Sequence, residues 1–154
     1  MNLMSLNIRG VSESHKVNWI KELKLKHHID FVGIQETHQV VASSIDIDGC
    51  WGNTQYDWEA VDSIGKSGGI LCIWDPSVFS KVCSTSSRNY LAITGHWRGF
   101  PGLTTIVNVY GPQSITEKRQ LWLDLTNLKN AQIGNWVLFG HFNAVRKREE
   151  RFNS

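Results

Sequence analysis

The hydrophobic pattern of the N-terminal quarter of the chain changes its period twice. Residues 1–7 are dominated by apolar side chains and predict a first strand. From Ser14 to about His27, apolar residues recur at helical spacing, which predicts an amphipathic helix with Ser12 or Ser14 as its N-cap. Residues 31–34 are apolar throughout, and we interpret them as a short buried strand.

The middle of the chain lacks helical spacing and is divided by Gly-Gly, Asp-Pro and Arg-Asn turns. Short segments rich in β-branched and aromatic residues predict strands that pair antiparallel, namely 51–62, 69–74, 79–84, 90–97 and 104–110. Leucines at helical spacing then predict a helix over 116–130, and Gly134 precedes a last strand, 136–139. This order predicts an α+β or layered α/β fold with sheet in the centre and helices outside.

Composition and charge narrow the class of protein. The 154 residues are 41% hydrophobic and 19% charged, which suits one domain with a real core. A net charge of +2 does not demand a nucleic-acid partner, and a solvated terminus is the simpler interpretation of the basic cluster in 146–151. Because we find neither a signal-peptide pattern nor a membrane-length apolar stretch, we expect an intracellular protein, nuclear or cytoplasmic, that is not secreted.

Two residue types carry further information. The three cysteines, Cys50, Cys72 and Cys83, are odd in number and have no CxxC spacing, so they predict reduced thiols and neither a disulfide framework nor a zinc knuckle. The seven tryptophans are many for this length. We expect most of them in the core or in the walls of a groove, because burial of an indole removes a large apolar area from water.

Polar residues follow several of the predicted strands: Asn7, Glu36, Tyr110, and His141 with Asn143. Each has an ordinary interpretation by itself. A lone Glu in a loop is usually a solvated charge, a strand-end Asn is usually a turn residue, and a Tyr before Gly-Pro usually sits at a core edge. Together they suggest a site, because strand ends that point the same way can meet at one rim of a sheet.

Five segments resemble, in order and spacing, the motifs of the endonuclease/exonuclease/phosphatase superfamily: "LNIRG", "FVGIQETH", "SGGI", "VNVYGP" and "VLFGHFNAV". This superfamily includes the apurinic endonucleases and the nuclease domain of LINE-type (non-LTR) retrotransposons. The opening "SLNIRGVSESHKVNWIKEL" and the closing "FNAVRKREERFNS" look particularly like plant LINE polyproteins, in which this nuclease precedes a reverse transcriptase. Taken alone, "SGGI" is better interpreted as a β-turn than as a phosphate cradle.

The resemblance implies a two-layer β-sandwich flanked by helices, in four α/β/β/α layers, with a Mg²⁺-dependent phosphodiesterase site at one rim. Glu36 would carry the metal, and Asn7 would help to hold the metal and the bound phosphate. Tyr110 would stabilise the phosphoryl oxygens in the transition state, and Asn143 would hold the attacked phosphate. The expected partner is the phosphate backbone of DNA, and no small-molecule cofactor is expected. One carboxylate can suffice for Mg²⁺, which prefers oxygen ligands and keeps several waters.

His141 departs from the family pattern, which has at this position an aspartate that orients and deprotonates the attacking water. A histidine can accept a proton at neutral pH, but it offers one acceptor nitrogen in place of two anionic oxygens. Loss of a positioned general base typically costs about 10²–10⁴ in rate. A damaged gene copy is a simpler hypothesis than a substitute base, since Asp and His codons differ at one base.

A second departure is the late Ser-Asp-His segment of the family, which the 154 residues do not contain. We therefore expect a single incomplete domain over 1–154, C-terminally truncated and catalytically impaired. No other histidine can be assigned the missing role; His38 is the one to watch, although a plain loop residue is the simpler interpretation. The alternatives are a non-cleaving nucleic-acid-binding pseudo-nuclease, a non-functional gene relic, and a phosphatase or lipid phosphodiesterase of the same fold.

Overall fold

The first sheet of the protein contains four strands. The structure, a computed structural model, describes residues 1–39, 45–65 and 68–144. In that part of the chain, the strands of this sheet lie in the order β1-β2-β4-β3, with bounds β1 Leu3–Asn7, β2 Phe31–Gln35, β3 Asp57–Val61 and β4 Ile70–Trp74. β1 runs parallel to β2, whereas β4 is antiparallel to both of its neighbours. The basic cluster in 146–151 and Ser67 of "SGGI" lie outside the described residues.

The second sheet has the order β5-β6-β7-β8, with bounds β5 Phe79–Ser87, β6 Tyr90–Trp97, β7 Thr104–Tyr110 and β8 Asn135–His141. β5, β6 and β7 pair antiparallel, and β7 and β8 pair parallel. Each sheet therefore contains one parallel pair at one of its edges. In both parallel pairs the carboxyl ends of the two strands lie side by side, which matters for the site.

Helices cover the outer faces of the two sheets. Their bounds in the described residues are α1 Ser14–Lys26, α2 Ile47–Trp51 and α3 Ile115–Ala131. Side chains of α1 and α2 pack on the outer face of the first sheet, and Leu121 and Leu125 of α3 pack on the outer face of the second. The four-layer α/β/β/α sandwich that was predicted is therefore confirmed. No helix in the described ranges is both long and apolar enough to cross a membrane.

The core between the sheets follows from strand periodicity. In β2, Phe31 faces the second sheet, whereas Val32 and Ile34 face the helices, since side chains alternate along a strand. Phe31 stacks on Trp74 with 5.6 Å between the ring centroids and meets Phe79 edge-on at 5.7 Å. The contact between Phe31 and Phe79 joins the two sheets within the core.

Several predictions about local structure need correction. The segment 51–62 is not one strand, because α2 ends at Trp51 and β3 begins only at Asp57. Neither serine caps α1: Glu13 occupies the N-cap position, without a side-chain hydrogen bond to the helix. Among the tryptophans, Trp51, Trp74 and Trp97 are buried and Trp136 is partly so, whereas Trp19, Trp58 and Trp122 are exposed. Four of the seven are therefore buried or partly buried, which agrees with the expectation for most of them, and three lie at the surface.

Candidate active site

The first sheet brings Asn7 and Glu36 together. β1 and β2 run parallel with Asn7 opposite Gln35, so the residue after Gln35 emerges beside Asn7 at the same edge. The Asn7 amide donates from Nδ2 to Glu36 Oε1 at 3.2 Å. Glu36 is only 8% exposed, so this carboxylate lies in a recess rather than in open solvent. The expectation that it is an ordinary solvated charge does not apply here.

Two basic side chains also approach this carboxylate. Arg9 Nε lies 3.7 Å from Glu36 Oε2, and His38 Nε2 lies 3.6 Å from the same oxygen. His38 is therefore more than a plain loop residue. Arg9 escaped the sequence analysis, although its position two residues after Asn7 in "LNIRG" offered a signal. We call Asn7, Arg9, Glu36 and His38 the first-sheet half of the site.

The second sheet contributes Tyr110 and His141. β7 and β8 run parallel with these two residues directly opposite each other. Their rings lie nearly parallel, with 6.5 Å between centroids and 24° between planes. Together with Asn143, which follows β8, they form what we call the second-sheet half. The phenol and the imidazole therefore lie next to each other at the carboxyl ends of β7 and β8.

The two halves meet where the Tyr110 phenol, at the end of β7, lies near the Glu36 carboxylate, at the end of β2. Burial raises the pKa of Tyr110, and the charge of Glu36 and the hydrogen bond to it raise that pKa further, while Arg9 opposes them. Tyr110 therefore stays a protonated donor at neutral pH.

Asn143 determines which nitrogen of His141 carries a proton. The Asn143 amide donates from Nδ2 to the Gly111 carbonyl oxygen at 2.6 Å, and a carbonyl can only accept. Asn143 Oδ1 must therefore be the atom that faces His141 Nε2, 2.7 Å away. Because Oδ1 is an acceptor, Nε2 carries the hydrogen, and Nδ1 is the acceptor nitrogen of the neutral ring.

Backbone contacts hold this loop rigidly. The Gly111 amide donates to the His141 carbonyl at 2.6 Å, while the Gly111 carbonyl accepts from Asn143. A methyl group on Gly111 would collide with the backbone of Phe142. From α3, Lys118 Nζ donates to the Asn143 carbonyl at 2.5 Å. Lys118 was missed by sequence reasoning, since nothing in the helical pattern separates it from a solvated lysine.

Positive φ angles concentrate at the rim. Of the five non-glycine residues with positive φ in the described ranges, four belong to the two halves of the site: Arg9 at 43°, Glu36 at 57°, His38 at 55° and Asn143 at 48°. Such conformations are costly for residues with a Cβ and persist where the surrounding structure imposes them. Unusual backbone conformations are therefore concentrated at the residues of this rim.

The glycines of "SGGI" have a structural explanation. The amides of Thr37 and His38 donate to the carbonyls of Gly69 and Gly68 at 3.3 and 3.1 Å. Both glycines have positive φ, and a Cβ on Gly69 would collide with Thr37. This segment thus supports the Glu36 loop from one side. A groove of about 200 Å³ runs from the glycines past Tyr110, and its far wall includes Arg88 and Asn89.

The side chains around Glu36 include groups of the kind that bind a divalent cation. Within the described residues, no three His, Cys, Asp or Glu side chains cluster in a way that could hold a metal ion. Asn7 and Glu36 nevertheless place an amide and a carboxylate side by side, and hard cations such as Mg²⁺ accept a small number of protein oxygens together with water. Arg9, whose side chain is 83% exposed, can leave Glu36 without being buried elsewhere. Glu36 therefore offers one carboxylate ligand to a cation, and Asn7 can add its amide oxygen once the amide, which now faces Glu36 through Nδ2, turns over.

One protein family matches this chain over nearly its whole length. The sequence model described as "Endonuclease/Exonuclease/phosphatase family" matches residues 4–152. No sequence among the curated proteins is similar enough to count as a match. Solved structures with the same fold include ANGEL2, a 2′,3′-cyclic phosphatase, in complex with adenosine-2′,3′-vanadate, at 18% identity and TM-score 0.68, where the match covers 94% of this chain and 54% of that one.

Two further structures are similar to this chain. One is the 3′ phosphatase NExo from Neisseria bound to a product DNA hairpin, with 16% identity, a TM-score of 0.69, and coverage of 94% of this chain and 59% of that one. The other is the catalytic domain of Xenopus laevis APE2, with 14% identity, a TM-score of 0.69, and coverage of 96% and 60%. At such identities the likeness establishes the fold alone. This chain spans little more than half the length of each of these three structures.

Proposed function

Because the chain belongs to the endonuclease/exonuclease/phosphatase family, we propose that it is a Mg²⁺-dependent phosphodiester hydrolase domain that acts on DNA and is impaired in its cleavage step. Enzymes of this family generally depend on divalent metal ions. The observation that carries the proposal is the convergence of Asn7, Glu36 and Tyr110, from three different strands, on one recess.

In this proposal, Glu36 and Asn7 hold the metal through their oxygens, and Asn7 also contacts the phosphate. A bound Mg²⁺ polarises the phosphoryl oxygen and so supplies the electrophilic assistance for hydrolysis. Tyr110, kept protonated, donates to a phosphoryl oxygen whose negative charge grows in the transition state. The nearby Glu36 carboxylate is the acceptor that a bound phosphate would replace.

The impairment follows from His141. Nδ1 is the only atom of the neutral ring that can take a proton from water, because Nε2–H donates to Asn143. An imidazole brings no negative charge to orient the water and, when protonated, it adds a positive charge at the rim. We assign Asn143 the role of holding the attacked phosphate, to which Nδ2 would donate its second hydrogen while the first stays on the Gly111 carbonyl.

DNA is the proposed substrate class, and the NExo complex with a product DNA hairpin supports this choice. We further propose that the domain belongs to a plant LINE-type retroelement, on the strength of the opening segment 5–23 and the closing segment 142–154. Genomic sequence downstream of the codon for Ser154 tests the origin. An open frame that leads into a reverse transcriptase is expected, and its absence from intact flanking sequence would contradict this assignment.

Retention and nicking of a supercoiled plasmid test the function. We expect the chain to retain DNA in a way that needs Mg²⁺ and is lost in Glu36→Gln, with nicking close to background. Nicking as fast as that of an active family member in the same assay would show that His141 does not slow cleavage, and would disprove the impairment. Absence of both retention and nicking would leave only a gene relic.

A second candidate function is supported by the charges around the recess. Arg9, His38 and Lys118 surround the rim, and they could bind a phosphate backbone without a metal ion. Such binding weakens steeply with salt. Retention that survives chelation of Mg²⁺ and the change Glu36→Gln, and that disappears at high salt, would favour this non-cleaving module over the hydrolase.

A further inference from the structure

Two buried amides join the sheets directly beneath the recess. Gln35, at the end of β2, is 1% exposed, and Asn108, in β7, is completely buried. Gln35 Nε2 donates to Asn108 Oδ1 at 2.5 Å. The surrounding contacts between the sheets are mainly aromatic and aliphatic, so this polar bond is a directional contact within a largely apolar layer. Lys81 and Ser84 of β5 also bind Glu59 of β3, but at the edge of the sandwich where those two strands lie.

The orientation of both amides is determined by their other partners. Asn108 Nδ2 donates to the backbone carbonyls of Ile34 at 3.4 Å and Leu71 at 3.3 Å, which can only accept. Asn108 Oδ1 therefore faces Gln35. On its other side, Gln35 Nε2 lies 3.2 Å from Ser5 Oγ of β1. The pair thus connects β7 to the three strands β1, β2 and β4 of the first sheet.

The positions of these residues tie them to the site. Gln35 immediately precedes Glu36, and Asn108 lies two residues before Tyr110 on the same face of β7. Gly33 makes room for the crossing, since a Cβ there would collide with Phe139 and crowd Asn108. A displacement of either amide would therefore be passed within one or two residues to Glu36 or Tyr110.

We propose that Gln35 and Asn108 are positioning residues, whose bond between the sheets sets the distance and direction at which Glu36 meets Tyr110. The importance of that meeting for hydrolysis rests on the proposed function, whereas the geometry does not. Apolar packing between sheets tolerates sliding, because dispersion contacts have little directionality. A short bond between two buried amides does not, because hydrogen bonds weaken steeply with misalignment.

Carbon-13 NMR of the tyrosine Cζ atoms at neutral pH tests this proposal without metal, DNA or turnover. The Cζ shift of Tyr110 reports the hydrogen bond of its phenol. The double variant Gln35→Met with Asn108→Leu replaces both partners by apolar groups of similar shape, which can be nearly neutral for stability. We expect the Tyr110 resonance to move in the direction seen in Glu36→Gln, where the carboxylate acceptor is lost.

Two controls separate positioning from general loosening. Tyr56, which donates to Asp48 at 2.8 Å on the far side of the first sheet, should keep its shift in the double variant. Thr94→Val breaks another buried polar contact, the 2.9 Å bond to Thr105, and should leave Tyr110 unchanged. A folded double variant with an unmoved Tyr110 resonance, or an equal movement in Thr94→Val, would overturn the proposal.

Should the double variant fail to fold, Gln35→Met alone decides the question, because it leaves the bonds from Asn108 to Ile34 and Leu71 in place. A smaller movement of the Tyr110 resonance in the same direction is then expected, and no movement would overturn the proposal. The plasmid assay is independent of this measurement, so failure of the proposed function and failure of the positioning role can be told apart.

Discussion

The two halves of the site share one architecture and differ in chemistry. Each is built at the carboxyl ends of a parallel strand pair, β1 with β2 and β7 with β8. The first-sheet half contains a buried carboxylate, Glu36, whereas the second-sheet half contains a phenol, an imidazole and an amide. Strand pairing therefore brings strand-end side chains to one rim whatever their chemical groups are. This is why membership of a fold family does not by itself establish activity.

The halves also differ in what holds their polar groups. Glu36 is held by side chains, of which Arg9 is largely exposed to solvent. Asn143 is held through backbone atoms of Gly111 and through Lys118. Side chains can turn away when a cation or a phosphate arrives, whereas backbone groups in a packed turn cannot. We therefore expect the first-sheet half to respond to ligands and the second-sheet half to remain rigid.

Glu36→Gln, in the first-sheet half, should have the largest effect on Mg²⁺ affinity. The change removes the carboxylate that would hold the metal, and loss of even an outer-shell partner typically costs about 10–100-fold in metal affinity. We expect a loss of more than about 100-fold, measured by calorimetric titration with Mg²⁺. Glu22→Gln, an exposed glutamate on α1, is the matched control. Equal affinities for the two variants would exclude Glu36 as the ligand.

Gly111→Ala should break the second-sheet half by steric means. The added methyl group meets the backbone of Phe142, which cannot rotate away, and overpacking of this kind typically costs about 1–3 kcal/mol. Denaturant unfolding measures the free energy of unfolding. In Gly99→Ala the methyl group meets no atom, and only the positive φ of 84° is disfavoured. A Gly111 variant no less stable than the Gly99 variant would contradict the rigid clamp.

His141→Asp should make the second-sheet half more like the first, because it adds a negative charge there. The added carboxylate should strengthen Mg²⁺ binding by about tenfold, which is the order of a single charge acting at a few ångströms through partly aqueous surroundings. The control is His96→Asp, at the end of β6 that lies away from Tyr110. A gain of the same size in both variants would indicate only the change in net charge.

Arg9→Gln should have the smallest effect. The exposed guanidinium competes weakly with a metal ion for Glu36, and exposed ion pairs are worth about 0.2–1 kcal/mol. We expect Mg²⁺ affinity to rise by about threefold in calorimetry. Arg98→Gln removes the same charge from the turn beyond β6 and should leave the affinity unchanged. A fall in affinity in Arg9→Gln would show that Arg9 assists the site instead of competing.

The fold could be predicted to a large extent because its strands obey a local rule. Alternation of side chains and runs of buried residues indicated most strands within a few residues, including 90–97 and 104–110, whose bounds match β6 and β7. The short helix α2 was missed because five residues are too few for helical periodicity to appear. Trp122 of α3 lies 47% exposed and stacks on Phe142.

The candidate site could be predicted from the sequence only in part. Polar residues that follow apolar runs stand out, so Asn7, Glu36 and Tyr110 could be singled out. Gln35 was not singled out, although it directly follows the apolar run 31–34, because the carboxylate of Glu36 beside it was the more obvious candidate. Asn108 could not be singled out, because it is a single polar residue inside a strand, where a solvent-facing side chain is the ordinary interpretation. The roles assigned to Tyr110, His141 and Asn143 stay predictions, and so does the metal at Glu36.

The sequence by itself determined which segments become strands and which polar residues stand at their ends, because these depend on neighbours a few positions apart. Only the tertiary structure decided which of those residues meet. Asn7 and Glu36 lie 29 positions apart, and Gln35 and Asn108 lie 73 apart. Such contacts depend on strand order and on how the two sheets face each other, and neither is encoded in a local pattern. The same holds for the imidazole of His141, whose hydrogen is directed to Nε2 by an amide that a carbonyl on another loop holds in place.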